Sequence, residues 1–348
     1  MTAFILMTVF VLALSGCAKD GTPATSPSSS PTPSASVSPS ENPDESTEPE
    51  APTKVVIQDI YGDVTVPVNP QRVVALDNRT FWTLSDWGIE LVGAPVPLLP
   101  TGIPYKEDGV IPFDVGTHND PKLEMIAAAD PDLVIVGQRF AGRYEEIKAL
   151  VPNTAVINLN FDVSVEAKSS GDNLVNGFKD FTLALGQIFD KNAEAQKIVS
   201  DFDASIAAAK AAYNGTDTIM TVIVSGGNIG FSAPSSGRVW GPLYEIFDWK
   251  SSLYIDGASS DHQGDDISVE AIAQSNPDWI FVLDRDAMNT SADGYVPAYD
   301  VIAAAPALAN ITAVTENQMV FAPNDAYTNE SIQTFTALFN ELASVLTD

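Results

Sequence analysis

The chain is predicted to be an α/β protein of two similar lobes, each built on a parallel-rich sheet, with a long helix running between them. Three observations point there. A segment occurs twice: residues 123–139 read LEMIAAADPDLVIVGQR and residues 269–285 read VEAIAQSNPDWIFVLDR, seven of seventeen positions being identical at a constant offset of 146. Self-similarity at a fixed spacing signals a repeated structural unit. Short apolar runs alternate with helix-periodic segments on both sides of the chain's middle, the pattern of parallel strands joined by crossover helices. The longest helical stretch, residues 173–213, falls between the two alternating halves.

The elements follow in order. Residues 4–16, FILMTVFVLALSG, are too short to span a bilayer and are placed like the apolar region of a secretory signal. They run into Leu14-Ser15-Gly16-Cys17, which resembles the lipobox of bacterial lipoproteins, where cleavage leaves a lipid-modified cysteine. Cys17 is the single cysteine, so no internal disulfide forms. Signal peptide 1–16 is therefore expected to be removed, leaving Cys17 and a Ser/Pro/Thr/Glu-rich linker, 17–53, which has too little apolar surface to fold. The folded part begins near Lys54. Residues 55–68 read as a hairpin turning at Tyr61-Gly62-Asp63. Strands are expected at 72–76, 91–96, 133–136 and 155–159, with helices at 81–87, 123–129 and 144–150. This gives an N-terminal lobe over 54–172. The connecting helix, 173–213, is alanine-rich and broken near Asp190. The C-terminal lobe, 214–348, continues with segments at 219–224, 242–247, 269–273, 280–283 and 319–321 and a closing helix at 330–346.

The chain carries 46 acidic and 17 basic residues, a net charge of −29. That balance excludes nucleic acid, which needs clustered Lys and Arg. It also makes the six arginines informative, since the eleven lysines already supply surface charge. Arginine is preferred where a planar, delocalised anion must be held. Ligands in parallel sheets sit at the carboxyl ends of the strands. Arg139 and Arg285 close the two repeats at such ends, and Arg238 follows the strand at 219–224 by a loop. The three are expected to converge on one cleft.

These features together resemble the substrate-binding lipoproteins of iron-siderophore ABC transporters. The resemblance covers residues 54–348. It rests on Gln71-Arg72-Val73-Val74 after the hairpin, the two Glu-to-Arg repeats, FTLALGQIF at 181–189 and Asp284-Arg285-Asp286. The order of Arg139 after PDLVIVGQ, Ser236-Gly237-Arg238, His262 ahead of Ile267-Ser268-Val269-Glu270, and VLDRD is most similar to the catecholate-siderophore binders. The resemblance implies two Rossmann-like lobes joined by a long rigid helix, the class III substrate-binding arrangement. It implies no enzyme activity and no cofactor of the protein's own, the ligand being an Fe(III)-siderophore. A ferric tris-catecholate is an anion of flat rings and phenolate oxygens, which Arg139, Arg238 and Arg285 would bind by charge-assisted hydrogen bonds and stacking.

Further roles follow from the same resemblance for His262, Tyr327, Glu124 and Glu270, and from position in the chain for the others. His262 and Tyr327 are candidates for direct iron ligation; a solvated loop histidine and a core tyrosine are the competing readings. Arg143 either reaches the cleft rim or pairs with Glu145 or Glu146. Trp82, Trp240, Trp249 and Tyr244 read as core by default, and Trp240, near Arg238, is the one of them best placed to touch ligand. Asp284 and Asp286 flank Arg285 and would hold its guanidinium. Glu124 and Glu270, at matching positions of the repeats, would dock onto an ABC permease that works with its ATPase; a helix-start glutamate favoured by the macrodipole is the alternative. The expected product is a monomer lipid-anchored through Cys17 on the outer face of a cell membrane, of Gram-positive type. Same-fold receptors for a hydroxamate siderophore, haem or a corrinoid remain open. A zinc or manganese receptor is disfavoured because His118 and His262 are the only histidines. An enzyme lacks a nucleophile elbow, phosphate loop or metal cluster. A tethered adhesin leaves the paired arginines unexplained.

Overall fold

A computed structural model describes residues 52–164 and 167–347. The expected signal segment, Cys17 and nearly all of the linker lie outside the described residues.

The chain enters as a hairpin of β1 (Lys54–Asp59) and β2 (Gly62–Pro67), in antiparallel register from Lys54↔Pro67 to Asp59↔Gly62. The first lobe follows: β3 (Val73–Ala75), α1 (Phe81–Asp86), β4 (Leu91–Ala94), β5 (Phe113–Asp114), α2 (Glu124–Ala128), β6 (Leu133–Val136), α3 (Tyr144–Leu150) and β7 (Ala155–Asn158). Its five strands lie in the order β5-β4-β3-β6-β7, every pair parallel. β6 is LVIV with all four residues buried, as a strand covered on both faces requires.

Next come α4 (Ser170–Ile188) and α5 (Asn192–Ala212). The second lobe contains β8 (Thr218–Ser225), β9 (Asn228–Phe231), α6 (Gly241–Phe247), β10 (Lys250–Ser251), α7 (Val269–Ser275), β11 (Trp279–Asp284), α8 (Ala298–Ala303), α9 (Thr312–Thr315), β12 (Met319–Phe321), α10 (Ala326–Asn329) and α11 (Ile332–Val345). Its sheet runs β10-β8-β11-β12 in parallel, with β9 antiparallel against β8.

The expected long helix is two helices, and the first of them spans the lobes. Leu174 and Phe178 of α4 are buried in the second-lobe core, with Phe202 of α5, Trp240 and Phe281. One to three turns later, Phe181, Leu185 and Ile188 are buried in the first-lobe core, with Val73, Leu133 and Ile157. The break comes at 189–191, where Asp190 takes φ 51. α4 also starts earlier than its periodicity indicates. Ser169 caps it, and the Glu245 carboxylate of α6 accepts the Gly171 N–H at 2.8 Å, satisfying the orphan donors of the first turn.

The middle of each repeat explains itself in the fold. The Asp132 carboxylate accepts the backbone N–H of Gln71 (2.8 Å) and Arg72 (2.9 Å), at the entrance to β3. Its counterpart Asp278 accepts the N–H of Thr218 (2.7 Å), at the entrance to β8. Each Pro-Asp pair thus registers the repeat's strand against the first strand of its lobe.

The closing helix, expected at 330–346, is α11 at Ile332–Val345, with the short α10 just before it. Glu330 sits at φ 25, ψ 42 between α10 and α11, and Ser331 caps α11 by accepting from the Thr334 N–H.

Candidate functional site

Both sheets reverse their build direction beside the first strand of the lobe, β3 in one and β8 in the other. A crevice opens at such a switch point, beyond the carboxyl ends of the strands. The residues that leave those ends therefore face one another across the lobes.

Beyond β3 the chain continues through Leu76 and Asp77 to Asn78 and Arg79, all buried. Asp77 accepts the Arg79 N–H at 3.1 Å. Burial raises its carboxyl above the usual aspartate range, against the lowering effect of Arg79. Beyond β6 the chain passes so close to Asp77 that a Cβ on Gly137 would lie 2.1 Å from the Asp77 Oδ2, so only glycine fits. Gln138 then takes φ 34, rare for a residue with a side chain, and Arg139 follows.

In the second lobe Arg285 directly follows β11. Its Nη1 donates to Ser225 Oγ, at the end of β8, at 2.8 Å. Asp286 lies 3.8 Å from the same nitrogen. Asp284, expected to hold this guanidinium, instead accepts from the Tyr295 hydroxyl and the Ala298 N–H, both at 2.9 Å. Arg238 comes from the turn after β9.

Arg139, Arg238 and Arg285 meet at Tyr327. Their Cζ atoms lie 5.7, 4.8 and 5.0 Å from the centre of its ring, within cation–π range. The Tyr327 carbonyl accepts from Arg139 Nη2 (3.2 Å) and Arg238 Nη2 (3.1 Å). Burial, with the charge of Arg238 second, lowers the Arg139 pKa from its usual value. The Nε–H groups of all three are buried and find no acceptor among the described residues. A buried donor without a partner favours an acceptor that comes from outside.

Glu330 neighbours this cluster. Its Oε1 pairs with Arg238 Nη2 at 2.7 Å and its Oε2 lies 3.6 Å from Arg79 Nη2, while Gln138 Nε2 donates to Oε2. Arg79 lies 3.9 Å over the Phe161 ring. Burial depresses its pKa, with Glu330 the largest opposing effect. A cavity of about 420 Å³ between the lobes is lined by Arg79, Gln138, Phe161, Ser236, Arg238 and Glu330. A second, of about 450 Å³, is lined by Trp82, Lys106, Met288, Asn289 and Asp325. Arg139, Arg285 and Tyr327 line neither, so the cluster is defined by its own convergence and not by cavity shape.

Other expected site residues fall elsewhere. Trp240 is fully buried against Phe281 and has no surface to offer a ligand. Arg143 pairs with Glu146 at 3.1 Å on an exposed helix start, three residues apart. His262 is about half exposed on a loop, its nearest charged partner being Asp261 at 3.9 Å. The histidine beside the arginines is His118. Its Nδ1 is buried without a partner among the described residues, and burial, then Arg139 and Arg238, lower its pKa. Glu124 and Glu270 are exposed in the first turns of α2 and α7. No group of three or more His, Cys, Asp or Glu side chains among the described residues is placed to hold a bare metal ion.

Sequence reasoning missed Arg79, His118 and Glu330. Arg79 had a usable signal, standing four residues past a strand end just as Arg139 stands three past another. His118 also stands four residues past a strand end, but that strand, β5, is only two residues long and no apolar run announces it; Glu330 lies nine residues past β12, and nothing local marked it.

Comparison with known proteins adds an independent finding. The model of a family described as periplasmic binding protein matches residues 73–326. The ferric-anguibactin-binding protein FatB of Vibrio anguillarum is 27% identical over 293 residues, covering 83% of this chain and 87% of that protein. The petrobactin-binding protein YclQ of Bacillus subtilis is 28% identical over 262 residues, 74% and 75% of the two chains. The crystal structure of a TroA-like periplasmic binding protein from Xylanimonas cellulosilytica superposes with a TM-score of 0.67 at 27% identity, covering 82% of this chain and 92% of that one.

Proposed function

The chain belongs to the periplasmic binding protein family, and on that premise we propose that it binds a ferric catecholate siderophore between its lobes and delivers it to an ABC permease for iron uptake. The observation that carries the reading is the meeting of Arg139, Arg238 and Arg285 on Tyr327. In a chain of net charge −29, three half-buried guanidinium groups in one cleft form a local positive field suited to a compact anion. Their free donors match phenolate oxygens, and their planes match catechol rings. The names of FatB and YclQ support a siderophore as the ligand class.

The proposal extends to the rest of the cycle. Cys17, once lipidated, anchors the chain outside the membrane, and the 17–53 linker tethers the lobes. The exposed Glu124 and Glu270, one on each lobe, dock onto the permease that works with its ATPase. The receptor acts as a monomer.

The test is intrinsic tryptophan quenching with a panel of ferric catecholates, ferric hydroxamates, haem and cobalamin. Saturable quenching by a ferric catecholate is expected with Kd below about 1 µM, roughly −8 kcal/mol. No response to any catecholate at that level refutes the catecholate assignment. A response confined to hydroxamates, haem or cobalamin reassigns the ligand within the same fold.

A further inference from the structure

Glu330 is a carboxylate placed inside a site for anions. Its side chain is 10% exposed and touches guanidinium groups from both lobes: Arg238 at 2.7 Å from the second and Arg79 at 3.6 Å from the first. Gln138 of the first lobe donates to it as well. Two of these residues hold left-handed backbone, Gln138 at φ 34 and Glu330 at φ 25. Such conformations cost free energy in residues with side chains and persist where the surroundings over-determine them.

Pairing with Arg79 alone does not account for the geometry. The shorter contact is to Arg238, which also points at Tyr327. A buried negative charge beside a ligand's anionic oxygens weakens the binding of every anion, and weakens it more for each further charge on the ligand. Arg79 acts with the opposite sign. It lines the inter-lobe cavity, is 5% exposed, and is oriented by Asn160 Oδ1 at 3.2 Å and the Phe161 ring.

We propose that the Glu330–Arg79 pair sets the ligand charge that the cleft accepts: Glu330 orients Arg238 and cancels one unit of the cluster's charge, and Arg79 restores it from the first lobe. Both are positioning and charge-setting residues, and the proposal rests on the siderophore reading above. Loss of the Arg238 orientation weakens binding, and weakens it most for the more highly charged ligand. Loss of the cancelling charge instead favours the more highly charged ligand, so the two effects separate by the sign of the shift in the ratio.

The experiment measures Kd by tryptophan quenching for the wild type, Glu330→Gln and Arg79→Gln. The probes are two ferric complexes of matched six-oxygen geometry, a tris-catecholate carrying 3− and a mono-catecholate bis-hydroxamate carrying 1−. Glu330→Gln keeps the side chain's shape and is expected to shift the ratio of the two Kd values about tenfold in favour of the 3− complex. That is the order of effect of one charge on two extra ligand charges across roughly 10 Å of partly screened cleft. Arg79→Gln is expected to shift the ratio the other way, and it carries the test by itself if Glu330→Gln does not fold. A ratio within twofold of wild type in the folded variants overturns the proposal, even where both affinities fall together. Failure of the wild type to bind either complex overturns the ferric-catecholate reading, and this inference with it.

Discussion

One helix, α4, carries both cores, and this makes a sharp prediction about how the lobes unfold. Phe178 is 1% exposed in the second-lobe core. Its ring lies 5.1 Å from Phe161, 5.9 Å from Phe202 and 5.3 Å from Phe335. Truncating a buried Phe to Ala costs about 3–5 kcal/mol. Three aromatic contacts of about 0.5–1.5 kcal/mol each place this site at the upper end. Leu185, two turns on and fully buried in the first-lobe core, costs about 3 kcal/mol as Ala. With a urea slope near 3 kcal/mol per M, the two midpoints fall by about 1.5 M and 1 M. Because the helix cannot leave one core without disturbing the other, each variant should keep a single transition, coincident by far-UV circular dichroism and tryptophan fluorescence. A midpoint within 0.5 M of wild type for Phe178→Ala refutes the packing argument. Two separated transitions, with Leu185→Ala moving only one, refute the coupling.

Three further outcomes follow from the site. Arg139→Ala, Arg238→Ala and Arg285→Ala should each weaken ferric-catecholate binding about 30-fold, as loss of a charge-assisted hydrogen bond of about 2 kcal/mol implies; unchanged affinity in all three places the site elsewhere. Glu124→Arg with Glu270→Arg should abolish uptake through the permease and leave quenching titrations unchanged, and lost binding refutes that division of labour. His118 has its pKa lowered by burial and by Arg139 and Arg238. The unfolded chain therefore takes up the proton first, and stability is lost as pH falls through the ordinary histidine range near 6.5 toward the lower folded value. The drop in Tm between pH 7.5 and 5.5 should be smaller in His118→Gln, and an equal drop in both proteins counts against this.

Much of the architecture was legible because it depends on local period. The hairpin at residues 55–68, the buried LVIV strand and the positions just past strand ends all follow from alternation and turn chemistry, and these located Arg139 and Arg285. The repeat also divides cleanly: an exposed glutamate at the helix start, an aspartate that registers two strands, and an arginine at the crevice. The direction of a side chain within an irregular turn is not local. Trp240 stands two residues from Arg238, yet the turn at Val239, with φ 65, sends the indole into the core and the guanidinium into the cleft. Tyr295 and Ala298 claim Asp284 from a segment more than ten residues away, so adjacency to Arg285 was no guide.

The sequence by itself determined two related lobes, the helical region between them and three arginines aimed at one crevice, because strand ends and amphipathic periods are properties of a few neighbouring residues. Only the tertiary structure decided that the arginines share the face of Tyr327, that His118 and not His262 stands beside them, and that Glu330 bridges Arg79 and Arg238. Those pairs are up to roughly 250 residues apart in the chain. Their meeting is set by the way α4 holds one core against the other, which no local pattern encodes.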